Sequence, residues 1–129
     1  MKKAVQVILI NPEGLILAVS RKDNHNNFGL IGGKVDPEDN DDIKAAAIRE
    51  TKEETGLDIY NLRIVYSTFW DTRMQYTFLA DYKGDIKTSE PHIVKWVPFS
   101  KVIEGSFGDF NKRVWNELAL LNLTQYIKE

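Results

Sequence analysis

A capped helix set among β-rich segments is the feature that most constrains the fold of this chain. We expect the helix to run from about Asp41 to Thr55. Asn40, Asp41 and Asp42 offer side-chain oxygens that cap a helix start, and Gly56 suits a helix end. Acidic residues at the start also complement the positive end of the helix dipole.

Apolar and β-branched segments surround this helix. Residues 5–10 and 15–20 predict a β-hairpin around the turn at residues 11–14, and the Gly-rich residues 21–34 predict a long functional loop. Further strands are expected at residues 62–69, 75–82 and 93–97, and an amphipathic helix at about 109–126. Strands around two separated helices predict an α/β layered domain with a mixed sheet.

Length and composition exclude several classes of protein. The 129 residues fit one domain, 1–129, and contain no cysteine, which excludes disulfides, thiolate metal sites and a cysteine nucleophile. No apolar run approaches the roughly 20 residues of a membrane span, so we expect no membrane partner and a cytoplasmic protein. A net charge of −2 argues against a binder of polymeric nucleic acid.

The charges are distributed unevenly. Residues 36–58 contain nine acids and three bases, a local balance of −6, whereas the other 14 bases and 10 acids give +4. Glu50, Glu53 and Glu54 share an arc of about 100° on the expected helix, in line with the small apolar residues Ala46 and Ala47. An exposed acidic face is one interpretation. A site for a hard divalent cation is the other, and the direction of the stripe favours it. Calcium binding by residues 36–42 fails because that stretch lacks the glycine and glutamate of a calcium loop.

The segment from Gly33 to Leu57 resembles the signature of the Nudix hydrolase family. Its fixed residues Arg49, Glu50, Glu53, Glu54 and Gly56 stand at the family's spacing. The resemblance implies a Nudix α/β/α sandwich, with a mixed β-sheet between helices. It also implies a MutT-like pyrophosphohydrolase in which water attacks a phosphorus of a nucleoside diphosphate linked to a group X.

The same resemblance implies the roles of the acidic residues. Glu50, Glu53 and Glu54 would bind Mg²⁺, with Mn²⁺ as a substitute, helped by the backbone carbonyl of Gly32. Arg49 would orient Glu50 or Glu53. The general base varies within the family, and the candidates here are Glu50 first and Glu90 second, with Glu53 also in the catalytic set.

The chain departs from the family pattern at two places near the helix. The spacing from Gly33 to Arg49 is two residues longer than usual, so Asp39 or Asp41 would replace the usual loop glutamate. Thr51 stands where an aliphatic residue is usual. Neither departure removes a predicted metal ligand.

Substrate contacts are predicted outside the helix. Arg21, Lys22 and Lys34 flank the Gly-rich stretch and would hold phosphates. Phe28 would stack on a base. Asp109 and Asn111 lie in a segment similar to the one from which MutT-like enzymes read a purine, although Asp109 is equally a helix cap.

Three functions remain open at this point. A (deoxy)nucleoside triphosphate, including an oxidised purine nucleotide of the 8-oxo-dGTP type, is the favoured substrate because of Asn111 and the compact size. An ADP-ribose or dinucleotide pyrophosphatase is the alternative. A nucleotide-sensing module without turnover is disfavoured by the complete carboxylate set. In each case the partner is a small nucleotide. The sequence does not determine the oligomeric state, and the resemblance allows a homodimer because dimers are frequent in the family.

Overall fold

The structure is a computed structural model, and it describes residues 1–87 and 91–129. These residues form two compact units. The first contains residues 1–8 and 31–87, and the second contains residues 9–30 and 91–129.

The first unit is built on strand β1 (Lys3–Ile8). β1 is antiparallel to the second half of β3 (Phe28–Lys34) and parallel to β5 (Arg73–Lys83), which pairs with β4 (Asp58–Trp70). The registers place Ala4 opposite Lys34 and Lys3 opposite Met74. Val5 and Val7 are fully buried, so β1 is the centre of this part of the sheet.

Helix α1 (Ile43–Thr55) packs on β1 and β4. Its start is capped by Asp42, whose carboxylate accepts hydrogen bonds from the backbone NH groups of Lys44 and Ala45. Its end is set by Gly56, which takes the left-handed conformation (φ 81°). Both ends confirm the sequence prediction to within two residues.

The buried face of α1 explains the unusual Thr51. Thr51 is fully buried, and its hydroxyl donates to the carbonyl oxygen of Ala47 at 2.8 Å. A threonine therefore fits where an aliphatic residue is usual, because its polar atom is satisfied within the helix.

The second unit contains the first half of β3, β2 (Ile16–Ser20), β6 (Val94–Val97), α2 (Ser100–Glu104) and α3 (Gly108–Leu120). β2 is antiparallel to both β3 and β6. Phe99 packs against Trp115, with ring centroids 4.9 Å apart, and Val114 and Leu118 of α3 are fully buried. Apolar residues at helical spacing thus bury α3, as the sequence predicts.

Two expectations about the strands were wrong. The strand order is β4-β5-β1-β3-β2-β6, so β1 and β2 each pair with β3, and the expected hairpin is reduced to one bridge between Ile10 and Ile16. The second half of the expected loop, residues 28–34, is strand β3. The α/β fold with a mixed sheet is confirmed, because β1 has one parallel and one antiparallel neighbour.

The last helix also differs from its prediction. α3 ends at Leu120, and a separate 3-10 helix covers Thr124–Tyr126. α2 was not predicted, because five residues are too few to show a helical period.

Candidate metal and catalytic site

Two of the three glutamates of α1, Glu50 and Glu54, face the C-terminal half of β3. Glu54 Oε1 accepts a hydrogen bond from the backbone NH of Gly32 at 3.0 Å. Glu50 lies against Gly33 and its side chain is 15% exposed, whereas that of Glu53 is 54% exposed. The stripe predicted from helix geometry is therefore turned toward the protein at Glu50 and Glu54 and toward solvent at Glu53.

The two glycines of β3 allow this close approach. A Cβ atom at Gly33 would lie 2.5 Å from the carboxyl carbon of Glu50, and one at Gly32 would lie 2.2 Å from the carbonyl oxygen of Val5. A side chain at Gly32 would overlap the backbone of β1, and one at Gly33 would displace the Glu50 carboxylate. The glycines thus bring a strand and a carboxylate together, which explains a Gly-rich sequence inside a strand.

Arg49 gathers the acidic residues around one guanidinium group. Its nitrogens lie within 3.4 Å of five carboxylates, which we call the Arg49 cluster: Asp36, Glu38, Asp39, Glu50 and Glu53. Nη1 donates to both Glu50 and Glu53, at 3.1 and 3.2 Å. These contacts raise the pKa of Arg49, with the hydrogen bonds to Asp39 as the largest cause. Arg49 contacts both of the glutamates that it was predicted to orient.

Asp39 is the strongest partner of Arg49. Its two oxygens accept from Nε and Nη2, each at 2.9 Å, and Oδ2 also accepts from the backbone NH of Asp36 at 2.8 Å. The hydrogen bonds to Arg49 lower the pKa of Asp39 below its ordinary value, although burial opposes this. Asp41 instead forms an exposed ion pair with Lys3 at 3.0 Å. Of the two candidates for the loop acid, Asp39 is therefore the one in contact with Arg49.

The longer spacing between Gly33 and Arg49 corresponds to an irregular backbone segment before α1. A 3-10 helix (Pro37–Asp39) is followed by Asn40 and Asp41, both left-handed with φ of 52° and 61°. Asn and Asp tolerate this conformation better than other non-glycine residues. The loop thus reaches the α1 cap while Asp39 stays against Arg49.

The environment of Glu50 differs from that of its neighbours. Burial raises the pKa of Glu50, and the nearby Glu53 adds to this, while Arg49 acts in the opposite direction. A buried carboxylate next to other carboxylates gains from a bound cation, which removes part of the repulsion.

The donor atoms in this region fit a hard divalent ion. All of them are oxygens, from the three glutamates and from the carbonyl of Gly32, and such oxygens suit Mg²⁺ or Mn²⁺. Within residues 1–87 and 91–129, no three acidic or imidazole side chains are already placed to hold a metal ion. A shared ion would compete with Arg49 for Glu53 and with the Gly32 NH for Glu54.

The remaining predicted residues lie in several places. Lys34, at the end of β3, is exposed, and its carbonyl accepts from Arg49 Nη2 at 3.2 Å. Arg21 forms an exposed ion pair with Asp23 at 3.3 Å, and Lys22 is exposed. Glu90 lies outside the described residues.

The predicted base-contacting residues belong to the second unit. Phe28 is buried, and Asn111 is buried with its Nδ2 donating to the carbonyl of Val102 at 2.9 Å. Asp109 lies in the first turn of α3 and is not its N-cap, which is Phe107. A role for Asn111 in base reading stays a prediction, and the structure adds a structural role for its amide.

Asp36 and Glu38 are partners of Arg49 that the sequence did not reveal. Asp36 Oδ2 lies 3.3 Å from Nη2 of Arg49, and Glu38 Oε1 lies 3.4 Å from its Nε. The available signal was the shortage of bases in residues 36–58, which left Arg49 as a shared counterion.

Across the described part of the chain, no helix has the length and apolar character to cross a bilayer.

Comparisons with known proteins place this geometry in a family. A model of the NUDIX domain matches residues 1–118. No curated protein matches the chain. Three similar solved structures have low sequence identity to this chain, so their likeness concerns the fold alone.

The first is described as a Nudix hydrolase family member from Chromobacterium violaceum, with TM-score 0.71 and 20% identity, covering 98% of this chain and 92% of that one. An ADP-ribose pyrophosphatase from Streptococcus suis has TM-score 0.73 and 20% identity, covering 93% and 91%. A MutT structure, described with the organisms Aliivibrio salmonicida and Vibrio cholerae, has TM-score 0.73 and 21% identity, covering 98% and 96%. With its family model matched over residues 1–118, the chain belongs to the Nudix hydrolase family, whose enzymes generally require divalent metal ions.

Proposed function

We propose that this enzyme uses Mg²⁺ to hydrolyse a pyrophosphate bond in a nucleoside diphosphate linked to X, with a nucleoside triphosphate as the preferred substrate. The observation that carries the proposal is the placement of Glu50 and Glu54 against Gly33 and Gly32, with Arg49 bonded to Glu50 and Glu53. It combines oxygen ligands for a cation with a residue that holds them in position.

Each residue has a distinct task in the proposed reaction. Glu50, Glu53, Glu54 and the Gly32 carbonyl would hold the ion. A bound Mg²⁺ supplies positive charge that offsets the charge of the phosphate oxygens as water attacks phosphorus. Glu50 is the first candidate to accept the proton of that water. Glu90 is the second candidate.

Arg49 acts as a positioning residue. Its guanidinium group is held by both oxygens of Asp39, which leaves Nη1 directed at Glu50 and Glu53. A planar group with fixed donors orients carboxylates better than a lysine does.

The proposed preference for a triphosphate rests on Asn111, in a segment similar to the one from which MutT-like enzymes read a purine, and on the compact size of the chain. We propose that Arg21, Lys22 and Lys34 contact phosphates and that Phe28, Asp109 and Asn111 contact the base. An oxidised purine triphosphate of the 8-oxo-dGTP type belongs to this class. ADP-ribose and dinucleotides are the competing substrates, and both a MutT and an ADP-ribose pyrophosphatase share the fold.

A hydrolysis screen with matched variants tests the proposal. Purified protein is assayed with Mg²⁺ and then with EDTA on dNTPs, oxidised dGTP, ADP-ribose, NADH and dinucleoside polyphosphates. We expect Mg²⁺-dependent turnover that is highest on one triphosphate and falls by about 10²–10³-fold in Glu53→Gln and Glu54→Gln.

Glu13→Gln is the control, because Glu13 is an exposed residue of the turn after β1 and lies outside the site. It removes one carboxylate and should keep full activity. Full activity in Glu53→Gln and Glu54→Gln would contradict the metal assignment. Highest activity on ADP-ribose would contradict the triphosphate preference, and tight nucleotide binding without turnover would identify a sensing module.

A further inference from the structure

A cavity of about 680 Å³ opens beside the Arg49 cluster, entirely within the first unit. It has the volume of an ordinary small-molecule site. Its charged lining consists of four basic and two acidic residues: Lys2, Lys3, Lys34, Arg73, Asp36 and Asp41.

The two acids of the cavity are already paired. Asp41 forms an ion pair with Lys3 at 3.0 Å, and Asp36 lies 3.3 Å from Arg49, outside the lining. Among the described residues, no carboxylate comes within 4.0 Å of the side-chain nitrogens of Lys2, Lys34 or Arg73. Among the described residues, the cavity therefore has three basic side chains without a carboxylate partner, all outside the acidic residues 36–58, and Asp36, which shares Arg49 with four other carboxylates.

Sheet register explains why these three cations meet. Ala4 pairs with Lys34, and the backbone NH of Met74 donates to the carbonyl of Lys2. Lys2, Lys34 and Arg73 thus lie at the same end of three adjacent strands, at the start of β1, the end of β3 and the start of β5. Arg73 is only partly exposed, and a guanidinium group without a carboxylate partner can bind an anionic ligand through charge-assisted hydrogen bonds.

The cavity adjoins the Arg49 cluster, which lies between it and the proposed metal site. Lys34 supplies a side chain to the cavity and a carbonyl oxygen to Arg49, and Asp36 lines the cavity while contacting Arg49. One guanidinium group thus separates the cavity from Glu50 and Glu53. A molecule bound at the glutamates through a metal can extend into the cavity if it carries further negative charge.

We propose that this cavity binds the ionised phosphate chain of the substrate beyond the bond that is cleaved, through Lys2, Lys34 and Arg73. The proposal rests on the proposed function and narrows it. Substrates ending in free phosphates, such as nucleoside tri- and polyphosphates, gain these contacts. Substrates whose second phosphate is esterified to a neutral sugar, such as ADP-ribose, gain fewer.

The first test measures anion binding without catalysis. Inorganic tripolyphosphate is titrated into the protein in EDTA by isothermal calorimetry, at low salt and again with added NaCl. We expect binding that weakens by about tenfold in Lys2→Met and in Arg73→Met, as for loss of one charge-assisted contact. Lys83→Met is the matched control, because it removes one positive charge at the other end of β5 and should bind like the unchanged protein. Equal binding in all four proteins would overturn the proposal, as would no binding at all.

The second test separates this inference from the proposed function. KM and kcat are measured with Mg²⁺ for the best triphosphate and for ADP-ribose. We expect Arg73→Met to raise KM for the triphosphate about tenfold while KM for ADP-ribose changes less than twofold. Equal effects on both substrates would overturn the cavity assignment and leave hydrolysis intact. Tripolyphosphate binding that depends on Lys2 and Arg73, in a protein that hydrolyses no nucleotide, would support the cavity and contradict the proposed function.

Discussion

Replacing Asp39 tests whether this residue is the loop acid of the chain. Asp39→Asn keeps the shape of the side chain but removes its negative charge next to Arg49. The wild-type side chain is 3% exposed and accepts two hydrogen bonds from Arg49 at 2.9 Å and one from the backbone of Asp36 at 2.8 Å. Asp41→Asn is the matched control, because Asp41 is 74% exposed and pairs with Lys3.

The expected loss of stability follows from these contacts. Breaking one partner of a buried ion pair costs about 3–5 kcal/mol. The substituted asparagine would retain one acceptor oxygen and Arg49 would retain Glu50 and Glu53, so we expect about 2–3 kcal/mol and a Tm lower by about 10 °C. Asp41→Asn should cost less than about 1 kcal/mol, as exposed pairs do.

Urea unfolding followed by circular dichroism, repeated across pH, measures the loss in free energy of unfolding in each of the two variants. Because folding lowers the pKa of Asp39, its contribution is present above the ordinary value of 3.8 and is lost as the pH falls through the lowered value. The difference between wild type and Asp39→Asn should therefore be constant from about pH 5 to 8 and shrink in acid below 3.8. Equal stability of Asp39→Asn and Asp41→Asn at pH 7 would refute the reasoning. A difference between wild type and Asp39→Asn that persists in strong acid would also refute it.

Other predictions concern the glycine contact, the buried amide and the chemistry. Gly33→Ala places a methyl group 2.5 Å from the carboxyl carbon of Glu50, so we expect turnover to fall by more than about tenfold. An unchanged far-UV circular dichroism spectrum is the control that the variant is still folded. Asn111→Ala removes the donor to the Val102 carbonyl and should lower the free energy of unfolding in urea by about 1–3 kcal/mol. If the variant also ranks substrates differently by kcat/KM, Asn111 contacts the base. An unchanged ranking would exclude that role. Turnover should require a divalent ion and rise on the alkaline side of neutrality, because the attacking water must lose a proton, and a rate that persists in EDTA would contradict the mechanism.

The features that local chemistry determines could be predicted from the sequence. Both ends of α1 were found because Asp42 and Gly56 act on their own helix, and the glutamate stripe was found because helical spacing fixes which side chains share a face. The family signature added the roles that no spacing alone could supply.

The features that depend on distant partners could not be predicted. β3 has a loop-like composition. Its glycines are explained by the close approach of Val5 and Glu50, which only the folded structure shows. The choice between Asp39 and Asp41 depended on which of two neighbouring carboxylates faced an arginine ten or eight residues later. Pairing of β1 with β3 and β5 is likewise a property of the whole sheet.

Arg49 gives the metal-free protein a resident counterion. A loop and helix with so many carboxylates would repel one another if their folding had to wait for a divalent ion, but Arg49 is part of the chain and offsets part of this repulsion. We therefore expect the metal-free protein to fold, and to gain activity when it is loaded with a divalent ion, without refolding. Chelation of the purified protein should accordingly switch activity off reversibly while the native structure persists.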